Sequence, residues 1–305
     1  MEKLIIIGAG VSGWTAAIYA GRAELNPIIF TGIEEGGQLM LTTTVENFPG
    51  FSDGILGPTL MQEMKKQAEK FGTKVVQKEV TGFRKINGGY EVTAGKEKYS
   101  SKSVIISTGA SARWLGLPEE KKFQGRGLHT CATCDGFFYR NKEIFVVGGG
   151  DSACEEANFL TKFAKTVTII HRRDELKASK IMQEKVRANS KIKFIWNSEI
   201  VKFVGEPPLK SVTIKDVKTG KIKNVKTDGV FLAIGHIPNV KIFEGLMNLD
   251  EYGFIKTDNR QRTNLPGVFA AGDVQDHIYK QAITAAGTGC EAAIEAEKYL
   301  TEIGN

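Results

Sequence analysis

The feature that most constrains this 305-residue chain is a doubled unit, in which an apolar, β-branched run enters a glycine loop that opens a small-residue helix pattern. Leu4 to Ile7 leads into Gly8-Ala-Gly-Val-Ser-Gly13, and Ile144 to Val147 leads into Gly148-Gly-Gly150-Asp-Ser-Ala153. Continuous apolar runs are what strands buried on both faces of a parallel sheet require. In such a loop Gly8 permits the tight turn, Gly10 lets a pyrophosphate approach the backbone, and Gly13 lets the helix pack close. The helix opened by the loop offers its free N–H groups to the phosphates. One glycine pattern is a weak signal, with a plain turn as its bland alternative. Two, each flanked by strand and helix patterns, point to nucleotide binding.

The remaining order repeats as well. Trp14 to Arg22 reads as an Ala-rich helix and Pro27 to Phe30 as the returning strand; Cys154 to Phe163 and Thr166 to Ile170 play the same parts in the second unit. Pro58 opens a helix whose Met61, Met64, Ala68 and Phe71 keep core spacing. Asn87-Gly88 marks a hairpin in the first unit, and Gly205, Pro207-Pro208 and Thr219-Gly220 mark turns of a meander in the second. Each unit closes with a strand ending in glycine, Lys102 to Thr108 before Gly109 and Val230 to Ile234 before Gly235. After Asn239 there is no third glycine loop. Instead Val268-Phe-Ala-Ala-Gly-Asp273 precedes a helix from about Gln281 to Leu300, which we read as a return to the first unit. Asp273 is either aimed at a ligand or a helix-capping residue. The expected fold is α/β, with two Rossmann-like nucleotide-binding domains of three-layer β/β/α type. The first spans 1–112 and 241–305; the second, 113–240, is inserted into it.

The two units differ where their second strands end. The first offers Glu34, about 20 residues beyond Gly13, where an acid accepts a ribose 2′-hydroxyl, with Glu35 as a substitute. The second offers His171-Arg172-Arg173 and then Lys177 and Lys180. Basic groups there bind a 2′-phosphate, so that site is expected to prefer NADPH; a solvated basic patch is the alternative.

Composition narrows the function classes. A net charge of +6 comes from 41 basic and 35 acidic residues spread throughout the chain, which argues against a nucleic-acid surface. After Met1-Glu2-Lys3 only four apolar residues lead to Gly8, too few for a signal-peptide core, and no run is long enough to span a bilayer. A cytoplasmic protein without membrane attachment is expected. Four cysteines do not make a disulfide framework in a chain of this length. Cys154 and Cys290 lie in Ala-rich helical patterns and are expected to be buried and inert. Cys131 and Cys134 form a C-x-x-C pair within His129 to Phe138, with Asp135 immediately after it. Such a pair is a candidate two-electron redox centre, with half a zinc site or two buried thiols as alternatives. Asp135 could serve the thiols as acid and base or simply occupy a turn before Gly136. For His129 a structural hydrogen-bonding role is expected.

With these features placed, the chain resembles the low-molecular-weight thioredoxin reductases of the pyridine nucleotide-disulfide oxidoreductase family from end to end. The matching stretches are Gly-Ala-Gly-Val-Ser-Gly at 8–13, Glu-Gly-Gly-Gln at 35–38, Cys-Ala-Thr-Cys-Asp-Gly-Phe-Phe at 131–138, His-Arg-Arg at 171–173 and Gly-Asp-Val at 272–274. The resemblance implies FAD in the first domain, NADPH in the second, a homodimer, and thioredoxin or a thioredoxin-like protein as partner. It places Gly8, Gly10, Gly13, Thr31, Glu34, Gly37, Gln38, Asn47, Asp273, Lys280, Gln281 and Ala282 around the flavin. Gly148, Gly150, Ala153, His171, Arg172, Arg173 and Lys177 fall around NADPH. Cys134 would face the flavin, Cys131 would attack the partner's disulfide, and Asp135 would act as acid and base. Lys177 and Lys280 stand where the family usually has arginine; lysine keeps the charge and loses the bidentate geometry. Because the cysteines and the NADPH residues share one domain, that domain is expected to rotate about hinges near residues 111–113 and 236–239. Two other readings compete. One is a reductase of the same type serving another small disulfide protein, glutaredoxin-like or peroxidase-linked. The other is a zinc-stabilised nucleotide-binding regulator, for which His129 and the distant Cys154 make a poor ligand set.

Overall fold

A computed structural model describes residues 1–304 other than Glu34 and Thr43. The chain divides into two compact units, Met1–Ser111 with Ile237–Asn305, and Ala112–His236. The two crossing segments, Ala110–Ala112 and His236–Pro238, pair with each other as a two-stranded ribbon.

In the first unit five parallel strands lie in the order Lys74–Val76, Ile28–Phe30, Glu2–Ile7, Glu97–Ile106 and Val268–Ala270. Glu97–Ile106 is long enough to serve two sheets: residues 103–106 lie in the parallel part, while residues 97–101 pair antiparallel with Gly89–Ala94, which hairpins back to Val80–Ile86. Side chains alternate across a strand, so each apolar run feeds two cores. Leu4, Ile6, Ile29, Ile105 and Phe269 join the helices Val11–Arg22, Gly57–Lys70 and Ala282–Glu302 on one face. Ile5, Ile7, Ile28, Phe30, Val104 and Ile106 meet Phe83, Tyr90 and Val92 of the hairpin on the other. Full burial of such side chains stabilises by about 1.5–3 kcal/mol each. The run Leu4 to Ile7 is therefore apolar throughout because both of its faces are covered.

The second unit repeats the scheme. Its parallel strands run in the order Leu128–His129, Gly229–Leu232, Glu143–Val147, Thr166–Ile170 and Ile192–Ile195. Ile144, Val146, Val167 and Ile169 pack toward the helices Asp151–Leu160 and Lys180–Ala188, whereas Phe145, Val147 and Ile170 pack toward an antiparallel sheet of Ser198–Val204, Ser211–Asp216 and Ile222–Lys226. Both units thus have the three-layer β/β/α architecture expected of a Rossmann-like domain.

Several local expectations are corrected. The two glycine-loop helices begin three residues earlier than their apolar patterns suggest, at Val11 and Asp151, and the second ends at Leu160, before Phe163. The cause is that Gly10 and Gly150 themselves act as extended N-caps, so the loop residues are already in the helix. Cys154 is fully buried, and burial raises its thiol to about 11. Cys290 is only half-buried: its thiol meets Tyr19, which is itself exposed, so it is not the enclosed thiol its Ala-rich helix suggested.

Candidate active site

Cys131 and Cys134 are joined as a disulfide, with their Cα atoms 5.4 Å apart. The bridge spans the first turn of a four-residue helix, Ala132–Asp135, whose N-cap is Cys131. There the Cys131 sulfur accepts the Cys134 backbone N–H at 3.2 Å, a donor of the kind that stabilises sulfur carrying negative charge. Cys134 is exposed and Cys131 partly so. Phe137 and Phe138, just beyond, are 48% and 44% exposed, and the Arg140 guanidinium lies 4.5 Å over the Phe137 ring. The pair therefore sits at a surface bearing two aromatic side chains. Among the described residues no group of three or more His, Cys, Asp or Glu is placed to hold a metal ion.

Behind the disulfide is a hydrogen-bond chain that spacing alone does not reveal. Asp135 Oδ2 lies 2.8 Å from His129 Nδ1, and His129 Nε2 lies 2.7 Å from the Tyr139 hydroxyl. His129 is placed by the short strand Leu128–His129, paired alongside Val230 and Phe231, and its ring stacks on Phe231 at 5.1 Å. Asp135 is thus more than a turn residue, and His129 has the hydrogen-bonding role expected of it. Burial, and secondarily the charges of Asp135 and Asp228, raise Tyr139 well above the ordinary phenol range, so it stays protonated.

The glycine loop of the first unit takes the shape its residues suggest. Gly8 has φ +106°, and a Cβ there would lie 2.2 Å from the Ser107 carbonyl oxygen. A Cβ on Gly13 would lie 2.0 Å from the Gly8 oxygen, whereas one on Gly10 would meet nothing within 4 Å. Strand and helix are therefore pressed together at Gly8 and Gly13, and Gly10 faces open space in front of a helix whose N-terminus has no side-chain cap. Other candidates come to the same place. Gly37 approaches Gly10, with 3.3 Å from a built Cβ to its Cα, and Gly272 abuts Ser12, which brings Asp273 to the helix start. Asn47 Nδ2 donates to Gln281 Oε1 at 3.4 Å, and Gln281 caps the helix beginning at Ala282. Thr31 is buried at the end of its strand, its N–H bonded to the Val76 carbonyl. Gln38 is exposed in the short 3₁₀ turn Gly37–Leu41. Lys280 has φ +49°, its N–H bonded to Asp276 and its ammonium to the His277 carbonyl. Glu34 lies outside the described residues; Glu35 is held by Lys65 at 3.0 Å. Asp273 is pushed up to about 6, chiefly by burial and then by Asp276, against the opposing charge of Lys280.

The second loop differs in one detail. A Cβ on Gly148 would strike the Ala233 carbonyl oxygen at 2.4 Å and the Ala153 methyl at 2.7 Å, and one on Gly149 would lie 2.3 Å from the His171 ring, so both glycines are closely packed. Gly150 again faces open space at an uncapped helix N-terminus. His171 is buried, and burial, then Arg172, Arg173 and Lys177, lower it below the ordinary imidazole value. The segment carrying the basic residues is tied to the loop: Lys177 N and Ala178 N both donate to the Gly149 carbonyl, and Ser179 donates to Asp151 through both its N–H and its hydroxyl. Arg172, Arg173 and Lys177 are exposed, and the adjacent Asp174 pairs with Lys218 at 2.7 Å. Their positive charge is left facing solvent beside the glycine loop.

Fold and site together define a protein of two Rossmann-like units with a surface disulfide on the second. Residues 2–289 match the model of the pyridine nucleotide-disulphide oxidoreductase family. The chain is 51% identical to a thioredoxin reductase of Mycolicibacterium smegmatis, over 99% of this chain and 97% of the relative, and 50% identical to one of Streptomyces clavuligerus, over 100% and 96%. It superimposes on the crystal structure of thioredoxin reductase from Streptococcus pyogenes with a TM-score of 0.94, at 41% identity and 98% coverage of each chain. The chain belongs to the pyridine nucleotide-disulphide oxidoreductase family, among its thioredoxin reductases, and is an oxidoreductase.

Proposed function

We propose that the chain is an NADPH-dependent flavoprotein that reduces the disulfide of thioredoxin, or of a thioredoxin-like protein, through Cys131 and Cys134. The observation that carries this reading is a surface disulfide held on the same unit as a glycine loop flanked by Arg172 and Arg173. The thioredoxin reductases to which the chain is about half identical along its whole length support the same partner.

The residues present fit the two cofactors. Open space before Gly10, an uncapped helix N-terminus and the convergence of Gly37, Asn47, Asp273 and Gln281 suit a large dinucleotide in the first unit, where FAD is proposed. Open space before Gly150 with Arg172, Arg173 and Lys177 beside it suits a 2′-phosphorylated dinucleotide in the second. We assign Gly8, Gly13, Thr31, Gln38, Lys280 and Ala282 to the first site, and Gly148, Ala153 and His171 to the second. When bound, the two cofactors supply the electron chemistry that turns the disulfide into a dithiol.

The chain's own groups then carry out the exchange with the partner. The Cys131 thiolate attacks one sulfur of the partner's disulfide and expels the other as a thiolate. Cys134 next attacks Cys131, closes the ring and expels the second partner thiolate. The dithiol is oxidised and the partner reduced; the two protons lost by the cysteines equal the two gained by the partner. Asp135, adjacent to Cys134, carries protons between them. Phe137, Phe138 and Arg140 offer the partner a contact beside the disulfide.

The reading includes a cytoplasmic location and a homodimer. The exposed apolar side chains Ile278, Tyr279 and Ile283 of the first unit support self-association, and sedimentation at micromolar concentration as a monomer would exclude it. Among the described residues no helix is long and apolar enough to cross a membrane. The function is tested by NADPH oxidation on addition of an oxidised thioredoxin to the flavin-loaded protein. Oxidation that requires both thioredoxin and flavin is expected; its absence with several thioredoxins would overturn the proposal.

A further inference from the structure

We infer that His129 and Tyr139 are positioning residues that act through Asp135, forming a chain of hydrogen bonds that holds its carboxylate for proton exchange with the cysteine dithiol. This rests on the reading of Asp135 as the acid and base of the dithiol–disulfide exchange.

The chain runs Tyr139 hydroxyl, His129 Nε2, His129 Nδ1, Asp135 Oδ2, with heavy-atom separations of 2.7 and 2.8 Å at its two links. Its direction comes from donor and acceptor counting. An ionised carboxylate only accepts, so Nδ1 must carry the proton it donates to Asp135. In a neutral imidazole Nε2 is then an acceptor, and the group facing it is the Tyr139 hydroxyl, kept protonated by its buried setting. Every donor and acceptor is matched in that arrangement. If Asp135 carries a proton instead and donates to Nδ1, the imidazole proton moves to Nε2 and the Tyr139 hydroxyl becomes the acceptor. Its own proton must then find another acceptor within a buried site. The two protonation states of Asp135 are therefore read as far as Tyr139, four residues beyond the carboxylate and ten beyond the imidazole.

Packing makes the chain rigid. His129 is 7% exposed and Tyr139 8%; the imidazole stacks on Phe231 at 5.1 Å, and the phenol meets both His129 and Phe231 edge-on at 5.3 Å. Gly229 is pressed against the phenol, for a Cβ there would lie 2.3 Å from its ring. Asp228, the other acid acting on Tyr139, accepts the Glu143 N–H through Oδ2 at 2.9 Å. The carboxylate is consequently the mobile-charge end of the chain, and it lies next in sequence to Cys134.

The test is a double-mutant cycle on the flavin-loaded protein, because residues acting through one group give non-additive effects whereas independent structural losses add. Tyr139→Phe deletes one hydroxyl and keeps the ring. In the parent background it is expected to lower kcat for thioredoxin reduction by ~3- to 10-fold with KM unchanged, the loss of one hydrogen bond. In an Asp135→Asn background the same substitution should change kcat by less than about 2-fold. His129→Leu removes both links and should cost more than Tyr139→Phe. His129→Asn restores a donor near Nδ1 and should recover part of that loss, which a folding defect would not. Flavin bleaching by NADPH, which precedes the dithiol, serves as the internal reference for each variant. Equal losses for Tyr139→Phe in the two backgrounds, or no loss in kcat, would overturn the inference. An Asp135→Asn protein that reduces thioredoxin at the parent rate would instead overturn the acid–base reading beneath it, and with it this inference. A parent that bleaches with NADPH but reduces no thioredoxin would overturn the proposed function itself.

Discussion

At the scale of single residues, Asp273 has the most measurable anomaly. Its carboxyl is pushed up to about 6 from an ordinary 3.8, mainly by burial. A raised acid in the folded state binds its proton more tightly there than in the unfolded chain. Stability should therefore fall as pH rises from about 4 to about 6 and then level off, by up to about 3 kcal/mol. Asp273→Asn, without added cofactors, should lack that fall: the variant is more stable than the parent at about pH 7.5 and equal to it below about pH 4, as read by urea unfolding at several pH values. A variant equal to the parent at both ends would show that the site hydrates Asp273 freely. What is retained at the cost of stability at neutral pH is a carboxyl next in sequence to Gly272, which abuts Ser12 at the start of the first glycine-loop helix, consistent with a binding role.

Among the elements, the glycine loops divide their work between neighbouring residues. Gly8 and Gly10 are two residues apart and serve different ends. Gly8→Ala meets the Ser107 carbonyl at 2.2 Å with φ +106°, so the fold itself resists it; a loss of several kcal/mol and a lowered melting temperature are expected. Gly10→Val puts its first carbon into open space. The chain without cofactor should melt within a few degrees of the parent, while flavin retention during purification is lost. Parent-like flavin content in Gly10→Val would move the pyrophosphate away from this loop. These elements were legible in the sequence because strands buried on both faces are apolar without interruption, and Leu4 to Ile7 and Ile144 to Val147 announce themselves. The helix starts were less legible, since caps at Gly10 and Gly150 have no apolar period. The link from Asp135 to His129 and Tyr139 was not legible at all. It depends on a two-residue strand laid against Val230 and Phe231, about a hundred residues on, and no spacing rule joins those positions. The same holds for Ser179 on Asp151 and for Tyr19 on Cys290, where neither partner signals the other in sequence.

On the scale of the whole molecule, each unit owns its cores and the chain crosses between them only twice, through the paired segments Ala110–Ala112 and His236–Pro238. The Cys131–Cys134 disulfide and the basic cluster belong to the same unit. If one flavin on the other unit must be served by both, the units have to exchange arrangements during turnover, and the two crossing segments are where the backbone must give. A disulfide engineered to fix one arrangement should abolish thioredoxin-dependent NADPH oxidation while sparing one half-reaction; undiminished turnover in the fixed protein would refute the exchange. The central claim, that Cys131 and Cys134 form the exit for electrons and not their entry, is tested most directly by stopped-flow spectroscopy of flavin-loaded Cys131→Ser and Cys134→Ser proteins. Both should lose flavin absorbance on mixing with NADPH at close to the parent rate and yet fail to reduce thioredoxin. Thioredoxin reduction by either variant at the parent rate would contradict the claim.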